Sequence, residues 1–205
     1  EQEMAIFGIA IDSKDRVYIA APEYRGGSLI RYTPNAMNKF QVLVTDANAV
    51  NSILVDEELD VIFIASMDTV QRYQLSYFEN PYQPIVFNSN EHAIVTGMTL
   101  ANGISFNSDK SSLIVADTMN YGIYKIDSDI KPEEKITDLS PYQFSPFEGA
   151  WSWPDGIVYL KKYKLFAVAD NFGSITFIDE AGNQVLQYQL LGDEGVLSAA
   201  SLTDR

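Results

Sequence analysis

The chain has 205 residues, 46% hydrophobic and 20% charged, a globular balance that excludes a disordered or collagen-like protein. Its 28 acidic against 14 basic side chains leave a formal charge of −14, which repels nucleic acid and anionic membrane surfaces. With no cysteine and only one histidine, His92, there is no disulfide framework, cysteine nucleophile or imidazole-rich zinc site, so a bound metal would need oxygen ligands.

No apolar run approaches the roughly 20 residues of a membrane helix, and no segment carries a helical hydrophobic stripe. A short β-rich pattern recurs instead. The first repeat, residues 7–48, predicts strands at Gly8–Asp12, Val17–Ala20, Leu29–Tyr32 and Phe40–Val44. The second, 49–97, predicts Ser52–Asp56, Ile62–Ala65, Val70–Tyr73 and Pro84–Phe87. The third, 98–152, predicts Gly103–Asn107, Ile114–Asp117, Gly122–Ile126 and Glu134–Ile136. The fourth, 153–198, predicts Gly156–Leu160, Ala167–Asp170, Ile175–Ile178 and Val185–Leu190, and a fifth opening strand starts within 199–205. From the leading Gly or Ser to the aligned Ala the spacing is 12, 13, 13 and 13 residues (Gly8 to Ala20, Ser52 to Ala65, Gly103 to Ala116, Gly156 to Ala169). Valine, isoleucine and aromatic residues fill the runs, and turn signals such as Arg25-Gly26-Gly27 and Asn171-Phe172-Gly173 separate them. The expectation is an all-β chain, a single β-propeller domain over 1–205 built of four-stranded antiparallel blades.

In such a fold the first strand of each blade lines a central channel, so the residues just before those strands converge at one mouth. Here they are Phe7, Asn51, Asn102 and Asp155. Two amides and a carboxylate are oxygen donors suited to a hard cation such as calcium or magnesium. Each is also a good turn former where a loop meets a strand. Asp117 and Asp170 end equivalent second strands, where turn-amide acceptance is the expected role. Trp151 and Trp153 bracket Asp155 from upstream and read either as packing between blades or as an aromatic wall. Tyr82, Tyr142, Phe144 and Phe147 read as a lid or as the cover of a blade edge, and His92 as a loop residue.

The stretches Asn102-Gly103-Ile104-Ser105-Phe106-Asn107-Ser108-Asp109, Leu113 to Thr118 and Pro154-Asp155-Gly156-Ile157 resemble the SMP-30/gluconolactonase/luciferin-regenerating-enzyme-like family of six-bladed propellers. Asn51 stands where that family has a further site asparagine, although Ser52-Ile53 follows it instead of Asp-Gly. The resemblance implies a divalent metal ion, calcium first and zinc, magnesium or manganese after it, held by Asn51, Asn102 and Asp155. It also implies hydrolysis of a lactone or related ester, with Asp155 as proton acceptor and a lactone or sugar-derived ligand as the small-molecule partner. The family's additional glutamate comes from its first blade, and Phe7 stands at the matching position here. The four repeats therefore read as blades two to five of a six-bladed ring. The contrasting reading is a non-catalytic propeller that binds a ligand or a protein through its faces. The composition fits either a cytoplasmic or a secreted protein, with no membrane insertion.

Overall fold

The structure is a computed structural model that describes residues 5–79, 83–145 and 153–189. It is all-β. The chain divides into two compact units, one within Glu1–Thr96 and Lys131–Ile136, the other within Gly97–Ile130 and Thr137–Arg205.

In the first unit, strands β1 (Ile9–Ile11), β2 (Val17–Ala21), β3 (Ser28–Tyr32) and β4 (Phe40–Thr45) pair antiparallel in chain order. The second sheet of this unit runs β5 (Val50–Asp56), β6 (Val61–Ser66), β7 (Thr69–Gln74), and then β9 (Ala93–Thr96) on the outside, after a two-residue β8 (Ile85–Val86). In the second unit, β10 (Ala101–Phe106), β11 (Ser112–Asp117) and β12 (Gly122–Asp127) form one sheet. There β13 (Pro154–Leu160), β14 (Leu165–Asp170), β15 (Ser174–Asp179) and β16 (Gln184–Gln189) form the other. Each repeat of the sequence is thus one antiparallel meander, a propeller blade.

Local chemistry closes the hairpins. Asp12 Oδ1 accepts the N–H groups of Lys14 and Arg16, Asp56 Oδ1 those of Glu58 and Leu59, and Asn107 Oδ1 that of Ser112. These are the polar residues that end the first strand of each of the first three repeats, and each gives the turn amides an acceptor that the ladder cannot supply. The first hairpin of every blade also holds one non-glycine residue at left-handed φ: Asp15 (58°), Asp60 (54°), Lys110 (61°) and Lys164 (54°).

The central strands β2, β6, β11 and β14 are buried along nearly their whole length, and the sheets pack face to face within each unit. Tyr18, Leu29 and Leu43 meet Ile53, Ile62 and Ile64 in the first. Ile114 and Ile123 meet Ile157, Phe166 and Ile178 in the second. Tight approach sets the glycines: a Cβ on Gly8 would stand 2.5 Å from the Asn51 carbonyl oxygen, and one on Gly103 would stand 2.3 Å from that of Asp155.

Two outer strands differ from the sequence expectation. Pro84–Phe87 does not close the second blade; its β8 runs parallel to β4, with Val44 beside Ile85, and so covers the edge of the first blade. Ala93–Thr96 is the outer strand of the second blade instead. Glu134–Ile136 likewise leaves the third blade: Ile136 lies parallel to Val95, donating its N–H to Ile94 O at 3.0 Å and accepting from Thr96 N–H at 2.9 Å. Gln143 bridges to Tyr124 in its place, and the Phe144 N–H donates to Ile123 O at 2.8 Å. An exposed strand edge is a row of unsatisfied amides, and each linker passes along the preceding edge and satisfies part of it. Phe144 is buried and lies edge-on to Phe166 at 5.8 Å, so of the two readings it covers a blade edge. No helix among the described residues is long and apolar enough to cross a membrane.

Candidate metal and substrate site

In three blades the first strand carries one extra residue near its start. In the second blade, Val50 pairs with Ser66 and Ser52 with Ala65, leaving Asn51 unopposed. The third pairs Ala101 with Asp117 and Ile104 with Val115, so Asn102 and Gly103 face a single residue. The fourth pairs Pro154 with Asp170 and Ile157 with Val168, so Asp155 and Gly156 do the same. The three oxygen-bearing residues all stand on bulges, which break the alternation of the strand and re-aim a side chain. The first blade has no register shift, and Phe7 lies before its first strand, 63% exposed.

Within the second unit, Asn102 and Asp155 are drawn to one place by Thr118. Asn102 Nδ2 donates to Thr118 Oγ1 at 3.2 Å, and Thr118 Oγ1 donates to the Pro154 carbonyl at 2.6 Å. Thr118 is buried. Its hydroxyl therefore ties the third-blade bulge to the residue before Asp155, and with the Asn102 amide nitrogen engaged, the amide oxygen is the group left to bind. Asn51 lies in the first unit and is 6% exposed.

Three carboxylates stand at strand ends here, and they are satisfied very differently. Asp117 accepts from the backbone N–H of Thr99 at 3.0 Å and of Leu100 at 2.8 Å, and from Asn120 Nδ2 at 2.8 Å. Asp170 accepts from the N–H of Trp153 at 3.0 Å and of Phe172 at 2.9 Å. Both carry out the turn-amide role expected of them. Asp155 accepts no hydrogen bond from any described residue, and burial alone pushes its carboxyl up to about 6. Two bare amide or carboxylate oxygen positions on adjacent bulges are the donor chemistry that calcium, magnesium or manganese takes. Among the described residues no group of three or more Asp, Glu, His or Cys side chains is placed to hold a metal, so such an ion would depend on amide oxygens as well.

Thr118 falls inside a motif quoted for the family resemblance, but its tethering role is visible only in three dimensions. Trp153 is 37% exposed and lies edge-on to Phe172 at 6.0 Å, which favours the aromatic wall over burial between blades. Trp151, Tyr82, Phe147 and 199–205 lie outside the described residues.

Residues 83–194, more than half of the chain, match the family described as the SMP-30/gluconolactonase/LRE-like region. Among solved structures, the chain is similar to a streptogramin B lyase (TM-score 0.63, 13% identity, 92% of this chain and 55% of that one). It is also similar to a catalytically inactive virginiamycin B lyase from Staphylococcus aureus with quinupristin (TM-score 0.63, 14% identity, 93% and 57%). A third is a structural genomics protein of unknown function from Bacteroides thetaiotaomicron VPI-5482 (TM-score 0.62, 14% identity, 89% and 43%). The chain thus spans about half the length of these structures, and at such identity the likeness shows the fold, that of a β-propeller. No curated protein matches the chain. On the extent of the family match, the chain belongs to the SMP-30/gluconolactonase/LRE-like family.

Proposed function

We propose that the protein is a metal-dependent hydrolase that opens a lactone or related ester, with Asp155 as proton acceptor and Asn102 and Asp155 as oxygen donors to a divalent cation, calcium foremost. The observation that carries this reading is the Asp155 carboxylate, half-buried on a bulge, without a hydrogen-bond donor among the described residues, while Asp117 and Asp170 at neighbouring strand ends are fully engaged. A fold does not leave a carboxylate desolvated and unpartnered without cost, and such groups concentrate at functional sites.

In the reaction, water adds to the lactone carbonyl carbon, the ring C–O bond breaks, and the proton from the water ends on the released alkoxide, giving an open hydroxy acid. A divalent cation held by these oxygens would supply polarisation of the carbonyl and activation of the attacking water. Asp155, which has no hydrogen-bond donor among the described residues, is the group available to take the proton and return it to the leaving oxygen. Thr118 fixes Asn102 so that its amide oxygen, not its nitrogen, is the group available.

Turnover of δ-valerolactone and gluconolactone by the calcium-loaded protein tests the reading. Asp155→Ala, shown to be folded by circular dichroism, is expected to lose about 100-fold or more in kcat, the scale of general acid–base catalysis. Full retention of turnover contradicts the assignment. A wild-type protein that turns over neither ester and binds no cation would instead be the non-catalytic propeller.

A further inference from the structure

We infer that a polar cleft at the outer edge of the third blade binds a small organic cation carrying ammonium or guanidinium groups. No residue of the cleft takes part in the metal and hydrolase reading above, so the two stand or fall separately.

The cleft lies wholly within the second unit and has a volume of about 490 Å³, the size of a small-molecule site. The linker that leaves the third blade makes it. After Thr137 the chain turns at Ser140–Tyr142 and comes back to β12, where Gln143 bridges to Tyr124 and the Phe144 N–H donates to Ile123 O at 2.8 Å. A hollow is left between this turn and the hairpin of β11 and β12, lined by Asn120, Tyr124, Thr137, Asp138, Ser140 and Gln143.

The donors of this lining are engaged elsewhere, and its acceptors are left. Asn120 Nδ2 donates to Asp117 Oδ2 at 2.8 Å and Gln143 Nε2 to the Ser145 carbonyl at 3.4 Å, so both amides keep their oxygens for the cleft. Asp138 Oδ1 accepts the Ser140 N–H at 3.0 Å, a bond that holds its carboxyl below the ordinary 3.8 and leaves Oδ2 to accept from a ligand. Tyr124 lies against Gly122, on which a Cβ would stand 2.8 Å from the phenol oxygen, so the missing side chain is what lets the hydroxyl reach the cleft. Among the described residues no lysine or arginine lines the cleft, and the Asp117 carboxylate stands behind Asn120.

The complement of oxygen acceptors grouped around a carboxylate is a ligand made of donors. An ammonium carries three N–H donors and a guanidinium five, and neither has an acceptor. A sugar brings an acceptor with every hydroxyl it donates, and a carboxylate or phosphate ligand would set oxygens against oxygens. The formal charge of −14 draws cations to the molecule as a whole, and the cleft is where they meet directed bonds.

Putrescine, 1,4-butanediol and succinate have the same four-carbon length and differ in their end groups. Each is titrated into the full chain at 0.15 M salt, which screens diffuse attraction beyond about 8 Å, while backbone amides are followed by two-dimensional NMR. Putrescine is expected to shift the amides of Asn120, Tyr124 and residues 137–143 saturably at millimolar concentration or below, butanediol to bind about tenfold more weakly, and succinate to give no shift. Asp138→Asn, which keeps the shape and an acceptor for the Ser140 N–H, is expected to weaken putrescine about tenfold, as loss of one charge-assisted hydrogen bond does. Tyr124→Phe, which removes only the hydroxyl, should act in the same direction. Asp179→Asn changes an exposed turn carboxylate outside the cleft and should leave the affinity unchanged. Butanediol binding as tight as putrescine, equal losses in the two Asp variants, or no saturable shift of the cleft amides would each overturn the inference. Putrescine bound at the cleft of a protein that hydrolyses no lactone upholds it and removes the hydrolase reading alone.

Discussion

Asp170 pairs with Pro154, the residue before Asp155, on neighbouring strands, and the difference between the two carboxylates is one of solvation. Asp170 exchanges water for two backbone amides; Asp155 loses water and receives nothing in return from the described residues. Because burial raises the Asp155 carboxyl to about 6, above its ordinary 3.8, the folded state binds this proton more tightly than the unfolded chain does. Its contribution is thus full below pH 3.8 and is lost as pH rises toward 6. In metal-free protein, Asp155→Asn should therefore raise unfolding free energy at pH 7.5 by about 1–3 kcal/mol and by little near pH 4. Urea unfolding at the two pH values checks this, and a destabilised Asn variant at pH 7.5 contradicts it. His92 gives the opposite sign. Its ring stacks on Tyr73 at 4.9 Å and its Nδ1 accepts the Asn88 N–H at 3.0 Å, so it must be neutral to hold that bond. Burial sets its pKa below 6.5, outweighing the opposing pull of Glu91. Stability present above 6.5 falls as the pH drops through that value toward the lower folded pKa. The wild type should lose stability between pH 7.5 and 5.5 by more than His92→Phe, which keeps the stack and cannot titrate; equal slopes would contradict the assignment.

At the scale of the element, the bulges decide what the first strands can do. They lie at or just before the leading glycine or serine of the second, third and fourth repeats, at the edge of the Gly-to-Ala spacing through which the repeat is visible, so the sequence locates Asn51, Asn102 and Asp155 without revealing why their side chains are re-aimed. The glycines that follow are more legible in retrospect. Gly103 is needed because the Asp155 and Gly156 backbone passes where a Cβ would sit, and Gly8 plays the same part against Asn51. Gly103→Ala, clashing with backbone and not with a movable side-chain tip, should cost about 1–3 kcal/mol. It should also weaken cation binding by displacing Asp155. Denaturation and calcium titration of the same variant read the two effects; an Ala variant as stable and as tight as wild type would show that the strands can separate freely. Turn chemistry, by contrast, is local and was readable: Asp12, Asp56, Asp117 and Asp170 accept backbone amides within or beside their own hairpins.

For the whole molecule, the repeat predicts four meanders, and the described residues form four sheets with inner strands at the expected places. The outer strands were harder to read. Pro84–Phe87 and Glu134–Ile136 have strand composition, but composition does not say which blade edge a strand joins, and both add parallel pairing to the preceding blade. The same limit applies to the site. Residue type and spacing single out Asn102 and Asp155, whereas the Thr118 tether and the Asp170 grip on Trp153 and Phe172 depend on turns brought together by the sheet. The claim that joins these levels is that the oxygen donors on the bulges bind a divalent cation. Isothermal titration of calcium into the full chain tests it most directly. The account predicts saturable binding at about micromolar Kd, the range of modest oxygen-ligand calcium sites, abolished in Asp155→Ala and weakened at least tenfold in Asn102→Ala. Binding that is absent from the wild type, or equal in all three proteins, would contradict it.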